Sequence, residues 1–232
     1  MIKAVLFDWF NTLATYDPSR EELYRKAFQE FNFGLPLKTV YQGLQVGDRF
    51  FFSESGKALV RGKPPEERAV QFVRYVQAIG DEAGVSLPPD VQLSIIKKVL
   101  KEFTGVFKLF EEVIPLFSAL KQKDYLLGII SNADKSIAEQ IDRTGLKQYL
   151  DVLVTSDQAG AEKPAARIFL AGLEKTGVAA ENAIYIGDQY QSDILGALNM
   201  GMKAVLIDRY GINADITGCP RITSLQEIND YL

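Results

Sequence analysis

The sequence predicts an α/β fold: an open parallel-sheet (Rossmann-like) core with an inserted α-helical cap domain. Three observations carry this. Five short apolar runs are continuous rather than alternating, helical patterns alternate with the last four of them, and more than a hundred residues without a convincing strand separate the first run from the second. Continuous hydrophobicity is how parallel strands covered on both faces read, and a strand–helix alternation is how βα units read.

In chain order, the first run is AVLFD (4–8), followed by YLLGIIS (125–131), DVLVTS (151–156), AIYIGD (183–188) and KAVLID (203–208). Helical patterns cover 113–123, 134–144, 165–176 and 192–200. The stretch after the first run is too long for a crossover connection, so it must be largely an insertion. Ser19 and Glu22 form a capping-box pattern ahead of LYRKAFQEF, which places Leu23, Ala27, Phe28 and Phe31 on one helical face. Pro64 and Pro65 introduce a second helix through about Ile79, and Pro88 and Pro89 a third through about Phe103, since proline suits a helix start. The expected division is a core of 1–15 and 107–232 with a cap of 16–106, entered and left by two linkers, an arrangement that can open and close over the strand ends. VFKLFEEVIPLF (106–117) reads as linker and core helix. DRFFFSES (48–55), with Arg49 beside three aromatics, reads as cap packing, so no substrate residue is assigned there, nor at Trp9 or Tyr16 beside the linker.

Composition narrows the chemistry. The chain is 47% hydrophobic and 24% charged, as in an ordinary globular protein. Its formal net charge of −4 offers no basic field for a polyanion, which speaks against nucleic acid and leaves a small molecule as the expected partner. No histidine is present, so imidazole bases and imidazole metal ligands are excluded. Cys219 is the one cysteine, an ordinary small side chain that suits a reducing cytosol. Residues 4–7 are too short for a signal peptide, and no run nears the roughly 18 apolar residues of a membrane helix. A cytoplasmic protein without membrane attachment is expected; the oligomeric state is not legible.

Each apolar run ends in a polar residue: Asp8, Ser131, Ser156, Asp188 and Asp208. Open parallel sheets bind ligands at the carboxyl ends of their strands, so these five are candidates to meet at one crevice. Taken singly, each has a plainer reading. An Asp can simply solvate a strand end, a Ser-Asn pair such as Ser131–Asn132 often caps a helix, and a loop lysine such as Lys163 is ordinarily solvated. Asp188 and Asp193 lie five apart in GDQYQSD, strand end to first helical turn, where acids also complement the helix dipole. Both could point at one cation near Asp8, and carboxylates with waters and a backbone carbonyl suit Mg²⁺.

Four segments together resemble the haloacid dehalogenase-like hydrolase superfamily, in particular members with a helical cap inserted just after the first strand. They are FDWFNTL, IISN (129–132), GAEKPAARIF (160–169) and YIGDQYQSDILGALNMGMKAVLIDR (185–209), and they span the whole core. The resemblance implies that Asp8 is a nucleophile forming an aspartyl intermediate, which splits one hard displacement into two easier steps. It implies that the Thr12 and Ser131 hydroxyls, flanked by Asn132, hold the nucleophile or a phosphoryl oxygen. Lys163 would balance the charge of the nucleophile and the transferring group. Mg²⁺ would be held by Asp8, the backbone carbonyl of Phe10 and one of Asp188 and Asp193.

The sequence departs from the family's pattern at Phe10. Phosphatases of this type usually carry a second aspartate there, which protonates the leaving oxygen and then activates water, help typically worth ~10²–10⁴-fold. Asn11 also replaces the usual glycine, and Ala165 and Ala166 replace the usual acid–proline pair. The expectation is a Mg²⁺-dependent phosphatase for a small phosphorylated metabolite with a good leaving group or another acid. The alternatives are a 2-haloacid dehalogenase-type hydrolase acting on a small organic acid, and a catalytically weak binding protein on the same scaffold. The GDxxxxD pattern favours a phosphatase over a dehalogenase, and the joint presence of Asp8, Lys163, Asp188 and Asp193 argues against a binding protein.

Overall fold

The computed structural model describes residues 1–51, 58–59 and 62–232. Its chain divides into two compact units, one of 1–15 and 107–232 and one of 16–106. The first is built on a six-stranded sheet in the order β5-β4-β1-β6-β7-β8. The strands are β1 (Ala4–Phe7), β4 (Leu126–Ser131), β5 (Val152–Thr155), β6 (Ala183–Gly187), β7 (Lys203–Ile207) and β8 (Arg221–Ile222). Every pairing in it is parallel.

The continuous hydrophobicity of the strands has its reason in the two layers that cover the sheet. Val5, Phe7, Ile129, Ile186 and Val205 face one apolar cluster, together with Leu116, Phe117 and Leu120 of α5 (Val113–Gln122) and Ile137 and Ile141 of α6 (Ile137–Arg143). Leu6, Ile130, Tyr185 and Leu206 face the other, with Ile168, Phe169 and Leu173 of α8 (Ala166–Thr176) and Ala197 of α9 (Leu195–Asn199). Alternate residues of one strand thus serve opposite layers, and neither can be polar.

Differences from the sequence reading lie where signals are short or mixed. Two strands of three residues, β2 (Ala14–Tyr16) and β3 (Phe107–Leu109), pair where the inserted segment leaves and rejoins, and β8 has two residues; none is long enough to show a period. The helix expected over 134–144 begins at Ile137, because Asp134 Oδ1 accepts from Ser136 N at 2.7 Å and closes a turn first. The helix expected over 192–200 opens as a π turn, Tyr190–Ile194, in which Gln189 O accepts from both Asp193 N (2.8 Å) and Ile194 N (3.4 Å).

The second unit holds α1 (Arg20–Glu30), α2 (Leu37–Phe51), α3 (Pro65–Ala83) and α4 (Pro89–Glu102). Pro65 and Pro89 open their helices as the sequence indicates, and α3 runs on to a left-handed Gly84. The capping box of α1 is half formed: Ser19 Oγ accepts from Glu22 N, while the Glu22 carboxylate turns to Arg25 Nη2 at 2.7 Å. The sequence reading had no α2, whose helical signal Gly43 and Gly47 dilute. A Cβ at Gly43 would meet the Ile79 backbone nitrogen at 2.6 Å, so the glycine is what lets α2 lie on α3. Asp48 is buried here and accepts a fork from Arg20 (3.0 and 2.8 Å) and the Tyr75 hydroxyl (2.8 Å). Phe51 stacks on Tyr75, in line with the packing read from this stretch, and Arg49 is exposed; residues 52–55 of the aromatic segment lie outside the described residues. Among the described residues, no helix is long and apolar enough to cross a membrane.

Phe117 is fully buried with its ring centroid 4.9 Å from that of Phe7. Phe117→Ala should therefore cost the core unit about 3–5 kcal/mol. Urea unfolding followed by the emission of Trp9, the one tryptophan, measures it.

Candidate active site

β1 pairs with β4 on one side and β6 on the other, so the chain's path across the sheet reverses direction at β1. The crevice beyond such a reversal is where open parallel sheets bind ligands. Asp8 is the first residue past β1, and its backbone N donates to Ile186 O at 2.8 Å. Ser131 ends β4, and Asp188 follows β6 directly. The π turn brings Asp193 back over Gly187, where a Cβ would fall on the Asp193 carboxylate; the glycine of the Gly-Asp pair is a requirement of that approach.

Lys163 joins these pieces. It sits in the loop between α7 (Ser156–Ala159) and α8, and its ammonium donates to Asp8 Oδ1 (2.5 Å), Asp193 Oδ1 (2.6 Å) and the Tyr185 hydroxyl (3.0 Å). An ammonium has three protons, and all three are placed. The Tyr185 hydroxyl in turn donates to Ile130 O at 2.9 Å. Asn132 holds the lysine's backbone from both sides: Lys163 N donates to Asn132 Oδ1 (2.7 Å), and Asn132 Nδ2 donates to Lys163 O (3.2 Å). Asp193 Oδ2 accepts from Gln189 N at 3.0 Å, so both of its oxygens are engaged.

Three buried carboxylates against one buried ammonium leave an excess of two negative charges. The Asp8 carboxyl is pushed up to about 6 by burial, which outweighs the pull of Lys163 in the opposite direction; repulsion from Asp193 adds a smaller push upward. Burial works against the Lys163 ammonium as well, yet Asp193 and Asp8 hold its pKa well above the ordinary lysine value. Ligand oxygens from Asp8, Asp188 and Asp193 lie within 4.8 Å of one another. Hard oxygen donors in a pocket of excess negative charge fit a small divalent cation. Thr12 is fully buried, and its hydroxyl has no hydrogen-bond partner among the described residues.

Not every strand-end residue joins this group. Asp208 accepts from Ile212 N, Asn213 N and Arg221 Nη1 at 2.9–3.0 Å and closes the turn after β7. Ser156 Oγ donates to Ala133 O at 3.1 Å. At the departures from the family pattern, the Phe10 ring lies edge-on to Phe107 with centroids 6.1 Å apart. Asn11 has φ 60°, a left-handed conformation that asparagine tolerates better than most residues, which is why it can stand in for glycine. Ala165 and Ala166 open α8 without a side-chain cap.

The sequence model described as "Haloacid dehalogenase-like hydrolase" matches residues 5–207. The chain belongs to this family. As a haloacid dehalogenase-like hydrolase it is 31% identical over 226 residues to the glyceraldehyde 3-phosphate phosphatase of Methanothermobacter thermautotrophicus, covering 95% of this chain and 90% of that protein. It is 27% identical over 212 residues to the ribulose-1,5-bisphosphate 5-phosphatase of Halopiger xanaduensis, covering 90% and 85% of the two. The crystal structure of a haloacid dehalogenase-like phosphatase from Thermococcus onnurineus superposes with a TM-score of 0.62 at 25% identity, over 99% of this chain and 97% of that one.

Two residues of this hydrolase's site escaped the sequence reading. Tyr185 looks like one more apolar strand residue, although a buried tyrosine must find a partner for its hydroxyl, and that was a usable signal. Arg209, one residue past Asp208, donates through Nε to Asn11 O (3.2 Å) and through Nη2 to Thr12 O (2.8 Å), and pairs with Glu112 at 2.7 Å. No spacing rule points to backbone carbonyls as partners across nearly the whole chain.

A folded-state pKa near 6 against an unfolded value of 3.8 means that the folded protein binds the Asp8 proton more tightly. This contribution to stability is therefore full below pH 4 and is lost as pH rises through about 6. With chelator present, Asp8→Asn should raise the melting temperature relative to the parent more at pH 7 than at pH 4. Differential scanning fluorimetry at the two pH values reads the difference, and an equal shift at both would contradict it.

Proposed function

We propose that this hydrolase is a Mg²⁺-dependent phosphatase that acts on a small phosphorylated metabolite through an aspartyl-phosphate on Asp8. The observation that carries the reading is the Lys163 ammonium held between Asp8 and Asp193, with Asp188 close enough to share a cation with Asp8. The names of the relatives, both phosphatases of small sugar phosphates, support the substrate class. A cytoplasmic setting goes with such a substrate.

In this reading one Asp8 oxygen attacks phosphorus, a P–O bond forms, and the bond to the leaving oxygen breaks. Lys163 keeps the other Asp8 oxygen turned inward and offsets the charge that gathers on the phosphoryl group. The Thr12 and Ser131 hydroxyls donate to phosphoryl oxygens, which gives the buried Thr12 hydroxyl the partner it lacks among the described residues. Water then attacks phosphorus, phosphate leaves, and the Asp8 carboxylate is restored. Asp8, the Phe10 carbonyl and Asp188 would hold the metal. Asp193 stands beside them with both oxygens engaged, so Asp188 is the better direct ligand of the two. Bound there, Mg²⁺ supplies charge neutralisation and polarises the phosphoryl oxygens. Asn132 and Tyr185 keep Lys163 in position, and residues 16–106 serve as the cap that selects the substrate.

Phe10 supplies no proton, so the reading favours substrates whose leaving oxygen needs little protonation, with water supplying what is required. The same residue favours a second reading, 2-haloacid dehalogenation by Asp8, because a halide leaves without a proton.

Assays of acyl phosphates, glyceraldehyde 3-phosphate, simple phosphate esters and 2-haloacids, each with Mg²⁺ and with chelator, separate the two. Metal-dependent phosphate release is expected; metal-independent halide release would replace the first reading by the second. Asp8→Asn should abolish turnover, and an unchanged rate would sink both. Phe10→Asp should raise kcat/KM on esters with poor leaving groups by at least ~10-fold, the lower part of what a placed general acid contributes.

A further inference from the structure

We infer that Arg209 is a positioning residue for the reaction, setting the backbone of the 10–12 loop so that its metal-binding carbonyl and its phosphoryl-binding hydroxyl face the site. The inference rests on the reading of Phe10 and Thr12 given above. Its physical basis is that peptide groups are planar and trans, so fixing one end of each fixes the direction of the other.

Three consecutive peptide groups of this loop are pinned. Asn11 N donates to Ala14 O at 2.7 Å, which turns the Phe10 carbonyl, on the same peptide plane, away from Ala14. The next two carbonyls, Asn11 O and Thr12 O, are taken by Arg209 Nε and Nη2 at 3.2 and 2.8 Å. With its carbonyl drawn to the arginine, Asn11 is held in its left-handed conformation, and Thr12 is carried to its buried position. Only a planar fork reaches two adjacent carbonyls at fixed spacing; an ammonium on a flexible stem would reach one.

The arginine is itself rigidly mounted. Asp208 before it is tied by its backbone to Ile222 O (2.8 Å) and by its carboxylate to three donors. The third guanidinium nitrogen pairs with Glu112, and the guanidinium lies 3.6 Å from the centre of the Phe110 ring. Phe110 N donates to Leu13 O at 3.1 Å, so the ring under the arginine belongs to a segment bonded to the same loop. Groups that orient a metal's ligands from behind typically carry 10–100-fold in metal affinity.

The test is a Mg²⁺ titration by calorimetry of the full chain, alongside melting in chelator and steady-state kinetics. The proteins compared are the parent, Asp188→Asn, Arg209→Lys and Arg209→Ala. Arg209→Lys is expected to weaken Mg²⁺ binding by roughly 10-fold and to lower kcat more than it changes KM, while its melting temperature in chelator stays within a few degrees of the parent. Added guanidinium chloride at millimolar concentration should restore part of the Mg²⁺ affinity of Arg209→Ala and none of that of Asp188→Asn. If Asp188→Asn binds weakly but Arg209→Lys and Arg209→Ala bind like the parent, the inference falls and the metal reading stands. If the parent and Asp188→Asn bind Mg²⁺ equally poorly, the metal reading falls and takes the inference with it.

Discussion

One ammonium among three buried carboxylates is the constraint on which the rest of the core depends. Ions taken out of water are tolerated only with compensating partners, and removing the single ammonium, which would leave the carboxylates uncompensated, is the change expected to cost about 3–5 kcal/mol. The neighbouring structure can be understood as meeting that demand. Asn132 clamps the lysine's main chain, Tyr185 takes its third proton, and the π turn with its bare Gly187 allows Asp193 to approach from behind. Compensation still stops short of neutrality. A structural ion cluster would be expected to close its charge balance, whereas a binding site for a dication is expected to leave it open by two.

The sheet supplies the meeting point. Phe7 is level with Ile186 in the β1–β6 register, so Asp8 and Asp188, far apart in sequence, emerge at adjacent strand ends. β4 on the other side delivers Ser131 and Asn132. Asp8 and Asp188 follow directly on rigid strands, Asp193 sits on the π turn, and the lysine is on a loop fixed through its own main chain. Reactive groups mounted in this way keep their geometry without help from the substrate.

What the sequence discloses follows from what leaves a pattern in it. Strands covered on both faces leave runs, and acids at strand ends leave a sharp break in polarity, so the sheet, Asp8, Lys163 and the Asp188–Asp193 pair were legible. The partners of Lys163 were legible only as a set, since nothing local says that Asp193 rather than Asp188 accepts its hydrogen bond. Arg209 acts on carbonyl oxygens that every residue possesses, and no residue-type signal can mark them. Helix α2 was hidden by the glycines that let it pack, because the same residues that close the contact lower helix propensity. Asn11 looked like a defect in a motif until its left-handed backbone showed that the requirement was conformational.

The two short strands at the root of the inserted segment have a consequence for how such a protein can change over time. β2 and β3 pair with each other, and beyond them Asp17 N still donates to Val106 O at 2.8 Å, so the insertion is closed at its base like a hairpin. For the core, the whole segment is a loop whose ends already touch, and the entropy of closing a loop grows only with the logarithm of its length. The segment can lengthen, shorten or be exchanged while the sheet and its charge cluster keep their geometry. The insertion and the charge cluster are thereby free to change at different rates within one chain.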